Sequence, residues 1–274
     1  LGIGGVKALR ALGIATDVYH FNEGHALFAG FELVREKLAA GMDYDAALAA
    51  TRKEIVFTTH TPVVQGNESH YIDRLLYMGA DNGSFNKKQL KALGGSPFNM
   101  TVGALRLSKK SNAVAQLHAV TANKMWKKVK DREEIVGITN AIHLPSWVDQ
   151  RMVDAAQKGG DLWYIHKENK RKLLEFVKQR TGVQLNEESL LLGFSRRAVP
   201  YKRSDFICSD RPKIDSLFRT GKLQIIFSGK AHPQDDRGKQ IVENILALTR
   251  EYPNSVVFLE NYDMTIGSML VRGS

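Results

Sequence analysis

The 274 residues are 43% hydrophobic and 25% charged, with a formal net charge of +10 at pH 7, figures ordinary for a globular chain with a proper core and room for one large domain or two. The single cysteine, Cys208, excludes an internal disulfide and a cysteine-rich metal centre. No secretory signal pattern and no apolar run of membrane-spanning length is legible, so a cytoplasmic protein without a membrane role is the simplest expectation.

In chain order, Gly2, Gly4 and Gly5 precede an expected helix over 6–12 with apolar residues at 6, 9 and 12. A Gly-rich turn cradles phosphate when a strand leads into it; no such strand is in view, so helix initiation is the reading adopted. Residues 17–21 read as a short strand that runs into Asn22-Glu23-Gly24-His25, followed by a helix over 26–39. Asn22 and Glu23 suit a helix N-terminus as cap and dipole partner. His25 has no such need, and reads either as a site residue or as a packing histidine. A helix over 44–52 leads to a strand, 55–59, whose carboxyl end delivers His60 and then Pro62. Strand, helix, strand argues for a parallel sheet, with two histidines at the carboxyl ends of neighbouring strands.

From 63 to 97 glycines and polar residues dominate, as in rim loops and short helices that include a mobile cover. Residues 98–117 carry apolar positions at 102, 105, 113, 114 and 117 and read as one long helix. The helical pattern continues over 121–130, where Lys124, Lys127, Lys128 and Lys130 form a solvated face. The next strand, 135–139, ends in Asn140, which either offers donor and acceptor to a hydroxyl-rich ligand or serves a turn. Two helices, one opened by Pro145 and a charged one over 162–180, have no strand between them. They read as a connection between two lobes, dividing the chain into 1–144, 145–185 and 186–274.

The second lobe opens on a buried strand, LLLGF over 190–194, followed at once by Arg196, Arg197, Lys202 and Arg203 with Tyr201 among them. An open α/β sheet places its ligands outside the carboxyl ends of its strands. Four close cations repel one another unless an anion lies among them, and phosphate matches both their charge and the guanidinium fork. The same run also reads as a solvated basic loop. A strand over 223–227 then ends in SGKAHP, a helix follows over 237–250, and a last strand, 256–259, runs into Glu260-Asn261-Tyr262. Elsewhere the cations spread over many helix faces, without the basic stripe and interleaved aromatics that nucleic acid requires. The chain opens on Leu1 inside a Gly-rich turn and closes on the start of a helix, so a piece of a longer protein is expected.

Six blocks in this order, FNEGH (21–25), FTTHTP (57–62), ITNAIHLPSW (138–147), RRAVPYKR (196–203), GKAHP (229–233) and FLENYD (258–263), give a chain that resembles the α-glucan phosphorylases. The glycogen, starch and maltodextrin enzymes make up this family, and the likeness is closer to its shorter bacterial and archaeal members. The resemblance runs nearly end to end. It implies an α/β, two-lobed GT-B type glycosyltransferase fold, with Rossmann-like parallel sheets facing each other across a cleft and truncated here at both ends. It implies phosphorolysis of terminal α-1,4-glucosidic bonds to glucose 1-phosphate, with an α-1,4-glucan and inorganic phosphate as partners and pyridoxal phosphate as cofactor. By position, His60 matches the histidine that meets the sugar 6-hydroxyl, with its backbone carbonyl toward the oxocarbenium-like centre. Asn140 matches the asparagine on the same hydroxyl, and His25 a histidine of the cleft. Arg197 and Lys202 match the pair that grips the substrate phosphate, and Tyr201 is expected among the substrate-binding residues. Arg196 and Tyr262 match cofactor-side positions; no metal is implied.

Val64, Gln65, Ala141 and Pro200 depart from the family pattern. No lysine here matches the one that forms the Schiff base, and Gly2–Gly5 is not the family's phosphate-hugging loop, so the 274 residues alone are expected to turn over no glucan. A nucleotide-sugar glycosyltransferase related to glycogen synthase and a catalytically inactive glucan-binding relative are the alternatives. Glucan preference, oligomeric state and allosteric control are not legible.

Overall fold

A computed structural model describes residues 1–61, 63 and 67–274. Pro62, Val64 and Gln65, singled out in the sequence, lie outside the described residues. The chain forms two compact units, Leu1–Ala141 and Ile142–Ser274.

In the first unit a helix, α1 (Ile3–Ala11), precedes strand β1 (Tyr19–Asn22), a 3-10 turn (Gly24–Ala26) and two helices, α2 (Leu27–Ala39) and α3 (Tyr44–Glu54). Strand β2 (Ile55–Thr59) follows, then a two-residue antiparallel pair, β3 (Ser69–His70) with β4 (Phe98–Asn99), that encloses α4 (Ile72–Tyr77) and α5 (Lys87–Gly94). The unit continues through α6 (Met100–Leu107), β5 (Lys110–Ala113), α7 (Gln116–Met125) and β6 (Ile135–Gly137). The main sheet runs β1-β2-β5-β6, all parallel. Each step moves the same way across the sheet, so right-handed crossovers stack their helices on one face. That face buries Phe21, Ile55, Phe57, Ala113 and Ile135 against Leu27, Phe31, Leu105 and Leu107 of the helices. On the opposite face His20, Asn22, Lys110 and Val136 are exposed and Val56 is half-buried. The rings of Phe28, Phe85 and Phe98 surround the fully buried Phe31, with centroid separations of 5.1, 4.1 and 6.2 Å.

The first helix starts at Ile3, so Gly4 and Gly5 lie within it. The stretch 98–117 is not one helix: β4, α6 and β5 divide it, and β5 is the third strand of the sheet. Its sequence, KSNA, has no apolar alternation; β2 and β6 flank it on both edges and supply the backbone partners that make it a strand.

The second unit begins with α8 (Leu144–Trp147), α9 (Gln150–Lys158) and α10 (Leu162–Thr181), followed by β7 (Leu190–Ser195), α11 (Arg211–Arg219), β8 (Leu223–Ser228), α12 (Asp236–Glu251), β9 (Val256–Leu259) and α13 (Met264–Gly273). Its parallel sheet runs β7-β8-β9. Here both faces are covered. Leu223, Ile225, Phe227 and Val256 pack with Ile214 and Phe218 of α11 and Ile241, Ile245 and Leu248 of α12. Leu191, Ile226, Val257 and Leu259 pack with Leu173, Leu174 and Val177 of α10 and Ile266 and Leu270 of α13. All six residues of β8 are buried as a result, which explains its unbroken apolar middle. The helix α10, capped by Asp161 at Tyr164 N–H and ended by Gly182 in the left-handed region, is thus a layer of the second unit.

Candidate functional site

At the carboxyl edge of the first sheet, β1 ends in an unusual backbone. Glu23 has φ 63° and ψ 177°, a region that side chains other than glycine avoid at a cost of about 1–3 kcal/mol. Its N–H donates to Thr58 O at 2.9 Å, and its carboxylate accepts the backbone N–H of His60. Neither Asn22 nor Glu23 acts as the helix cap that the sequence suggested: the 3-10 turn and α2 start without a side-chain cap. The carboxylate instead ties the ends of β1 and β2 together. Gly24 is buried where a Cβ would lie 2.8 Å from Met100 Cβ, so only glycine lets the turn cross the start of α6. His25 is exposed, with Nδ1 3.7 Å from Glu68 Oε2.

A polar row crosses the open face below this edge. Thr58 Oγ1 donates to Asn112 Oδ1 at 2.7 Å. A hydroxyl has one proton, so His20 Nε2, 2.6 Å from the same oxygen, is the donor there.

His118, in the first turn of α7, carries no signal in the sequence. Its Nδ1 accepts the N–H of Val114 at 3.3 Å, which places the ring proton on Nε2. That Nε2 is buried without a protein hydrogen-bond partner among the described residues. Burial pushes the His118 imidazolium below the usual histidine range; Glu23 opposes this and His60 adds to it, so all three share one electrostatic neighbourhood. Val114 in turn accepts the N–H of Asn140 through its carbonyl at 3.2 Å. The edge therefore holds His60 through the Glu23 carboxylate and Asn140 through Val114 and His118, two hydrogen-bonded sets at the carboxyl end of one sheet. No spacing motif marked His118; the cue was its place four residues after Val114, legible only once β5 is known to end there.

In the second unit the chain continues past β7 beside β8, with Arg196 N–H donating to Ser228 O at 3.2 Å and Ala198 N–H to Lys230 O at 3.0 Å. A methyl at Gly229, which has φ +155°, would land on the Arg196 carbonyl oxygen. The loop then forms a 3-10 turn, Pro200–Lys202, and Arg203 takes a left-handed φ of 53°. Arg196, Arg197, Tyr201 and Arg203 are exposed and Lys202 is half-buried. Lys202 Nζ lies 5.0 Å from the Tyr201 ring centroid. The ion pairs of this unit among the described residues engage Arg151, Arg171, Arg211, Lys213, Arg219 and Lys239, and none engages the four loop cations. β7, expected to be buried, is instead the edge strand of its sheet and buries Leu191 alone; the four cations that follow it, with no carboxylate partner among the described residues, can bind an anion with little to displace. Tyr262 follows β9, with β8 between it and the basic loop, and is half-buried with its hydroxyl over Gly267.

All six sequence blocks fall at or just past the carboxyl ends of strands: β1, β2 and β6 in the first unit, β7, β8 and β9 in the second. No protein-family profile matches the chain. Over its whole length it is similar to a maltodextrin phosphorylase of Thermococcus litoralis (31% identical over 320 residues). It is likewise similar to an uncharacterized protein of Methanocaldococcus jannaschii (37% over 276 residues) and a glycogen phosphorylase of Aquifex aeolicus (30% over 328 residues). The chain spans 38%, 51% and 47% of the length of these three relatives, respectively. It thus resembles the glycogen and maltodextrin phosphorylases along its full extent and corresponds to part of their length.

Proposed function

We propose that the protein to which these residues belong is an α-glucan phosphorylase, which cleaves terminal α-1,4-glucosidic bonds with inorganic phosphate and releases glucose 1-phosphate. The observation that carries the reading is the placement of every recognised block at a strand's carboxyl end, in a chain similar throughout to glycogen and maltodextrin phosphorylases. The two α/β units then correspond to the Rossmann-like domains of a GT-B glycosyltransferase.

In this reading His60 and Asn140 hold the terminal glucosyl unit by its hydroxyls, and His25 lines the same site. Arg197 and Lys202 bind the attacking phosphate, with Tyr201 beside them. Two phosphate groups, the attacking one and that of the cofactor, must be held close together, and surplus fixed cations offset their mutual repulsion. Arg196 and Tyr262 are assigned to pyridoxal phosphate, whose phosphate group supplies acid–base chemistry when bound. The donor set suits a phosphate ester: Arg196 is exposed and has no carboxylate partner among the described residues, and the Tyr262 hydroxyl adds a neutral donor.

The test is glucose 1-phosphate release from maltodextrin and inorganic phosphate by the full-length protein. Arg197→Gln is expected to lower kcat/KM for phosphate about 100-fold. Nucleotide release from ADP-glucose or UDP-glucose in place of phosphorolysis would overturn the reading.

A further inference from the structure

We propose that Glu23 and His118 are positioning residues of this site: Glu23 fixes the peptide that leads into His60, and His118 fixes the N–H side of Val114, the residue whose carbonyl holds Asn140. The proposal rests on the phosphorylase reading, since it takes His60 and Asn140 as the groups that meet the sugar.

The argument begins with a conformation that has no local reason. A plain turn after β1 would place glycine at position 23, because φ 63° with ψ 177° suits only glycine. The sequence has its glycine one residue later, where Met100 requires it, and keeps a glutamate in the disfavoured position. The one side-chain hydrogen bond of that glutamate among the described residues is to the His60 N–H. The N–H lies at the end of β2, where no further strand residue can take it up, so the carboxylate sets how the chain leaves the sheet just as His60 begins. A charged acceptor makes this a strong hydrogen bond.

His118 does the same work two strands along. With Nδ1 committed to the Val114 N–H, the ring anchors Val114 on one side, and the carbonyl on the other side of the same residue receives Asn140 N–H. Gln116 adds a second tie from the same turn, donating Nε2–H to Gly137 O at 2.9 Å. The imidazole Nε2–H is buried without a protein partner among the described residues, and burial disfavours the charged ring, so it brings no competing charge to this edge. Glu23, just past β1, thus holds the His60 backbone directly, and His118 of α7 holds that of Asn140 through Val114.

The decisive pair is Glu23→Gln and Glu23→Met in the full-length protein. Both keep the side chain long and the backbone equally strained; only glutamine retains an oxygen for the His60 N–H. Glu23→Gln is expected to hold kcat within about tenfold of wild type and Glu23→Met to lose about 100-fold, with KM for glucan changing by about threefold or less. His118→Asn, whose carbonyl can accept the Val114 N–H, should recover at least tenfold in kcat over His118→Ala. Equal kcat for the Gln and Met variants at position 23, or for the Asn and Ala variants at 118, would overturn the assignment. Absence of glucose 1-phosphate from wild type itself would instead overturn the phosphorylase reading. Melting curves on all four variants ensure that the comparison is made between folded proteins.

Discussion

Gly229→Ala tests whether the basic loop depends on a tight backbone approach. The new methyl would occupy the position of the Arg196 carbonyl oxygen, and close-packed interiors absorb little overlap, so the two segments must part by about 1 Å. Two backbone hydrogen bonds bracket the contact, Arg196 to Ser228 and Ala198 to Lys230, and each contributes about 0.5–1.5 kcal/mol net. A side chain at φ +155° adds about 1–3 kcal/mol of backbone strain. The combined loss is about 2–6 kcal/mol, a fall in melting temperature on the order of 10 °C. Gly221→Ala is the control: its φ of +67° is also left-handed, but no atom lies within 4 Å of the added carbon, so only about 1 kcal/mol is lost. Differential scanning calorimetry of both variants, with the phosphate KM measured alongside, separates steric displacement from conformation. A Gly229→Ala protein no less stable than Gly221→Ala, with an unchanged phosphate KM, would refute the reasoning.

Other perturbations probe the first unit. Phe31→Ala removes a fully buried ring from the four-ring cluster and should cost about 3–5 kcal/mol, read as a lower urea midpoint. Glu32, 1% exposed, pairs with Arg35 at 2.6 Å and also accepts from Asn82; the Arg35 hydrogen bonds hold its carboxyl below the ordinary value of 4.5. Its contribution is therefore complete above pH 4.5 and lost as pH falls through the lower folded value, and Glu32→Gln should flatten that limb of a stability–pH curve. For His118 the sign is opposite in effect on charge. Burial lowers its folded value below 6.5, so the unfolded chain binds more protons and the fold loses stability as pH drops beneath about 6.5. His118→Asn should remove that dependence, measured as denaturant midpoints between about pH 7.5 and 5.5.

Much of this was legible in the linear chain because the informative signal was local. An apolar run followed by polar residues marks a strand and its carboxyl end, and this pattern located β1, β2, β6, β7, β8 and β9 together with His25, His60, Asn140, Arg196 and Tyr262. It failed at β5, where KSNA carries no apolar signature and the neighbouring strands impose the conformation from both sides. The missed strand hid His118, since a histidine in an unbroken helix gives no sign that it closes a strand end. Glu23 has the sequence signature of a cap, since a carboxylate near a helix start usually is one.

The sequence by itself determined the class of structure and the chemistry available at its edges: two sets of parallel strands, each ending in imidazole, amide or guanidinium. Tertiary structure alone decided which backbone groups those side chains control. The carboxylate of Glu23 reaches a residue 37 positions away, and Val114 joins His118, through its N–H, to Asn140, through its carbonyl. Such links depend on strand order and register, which arise from hydrogen bonds between distant segments and leave no periodic trace in either segment alone.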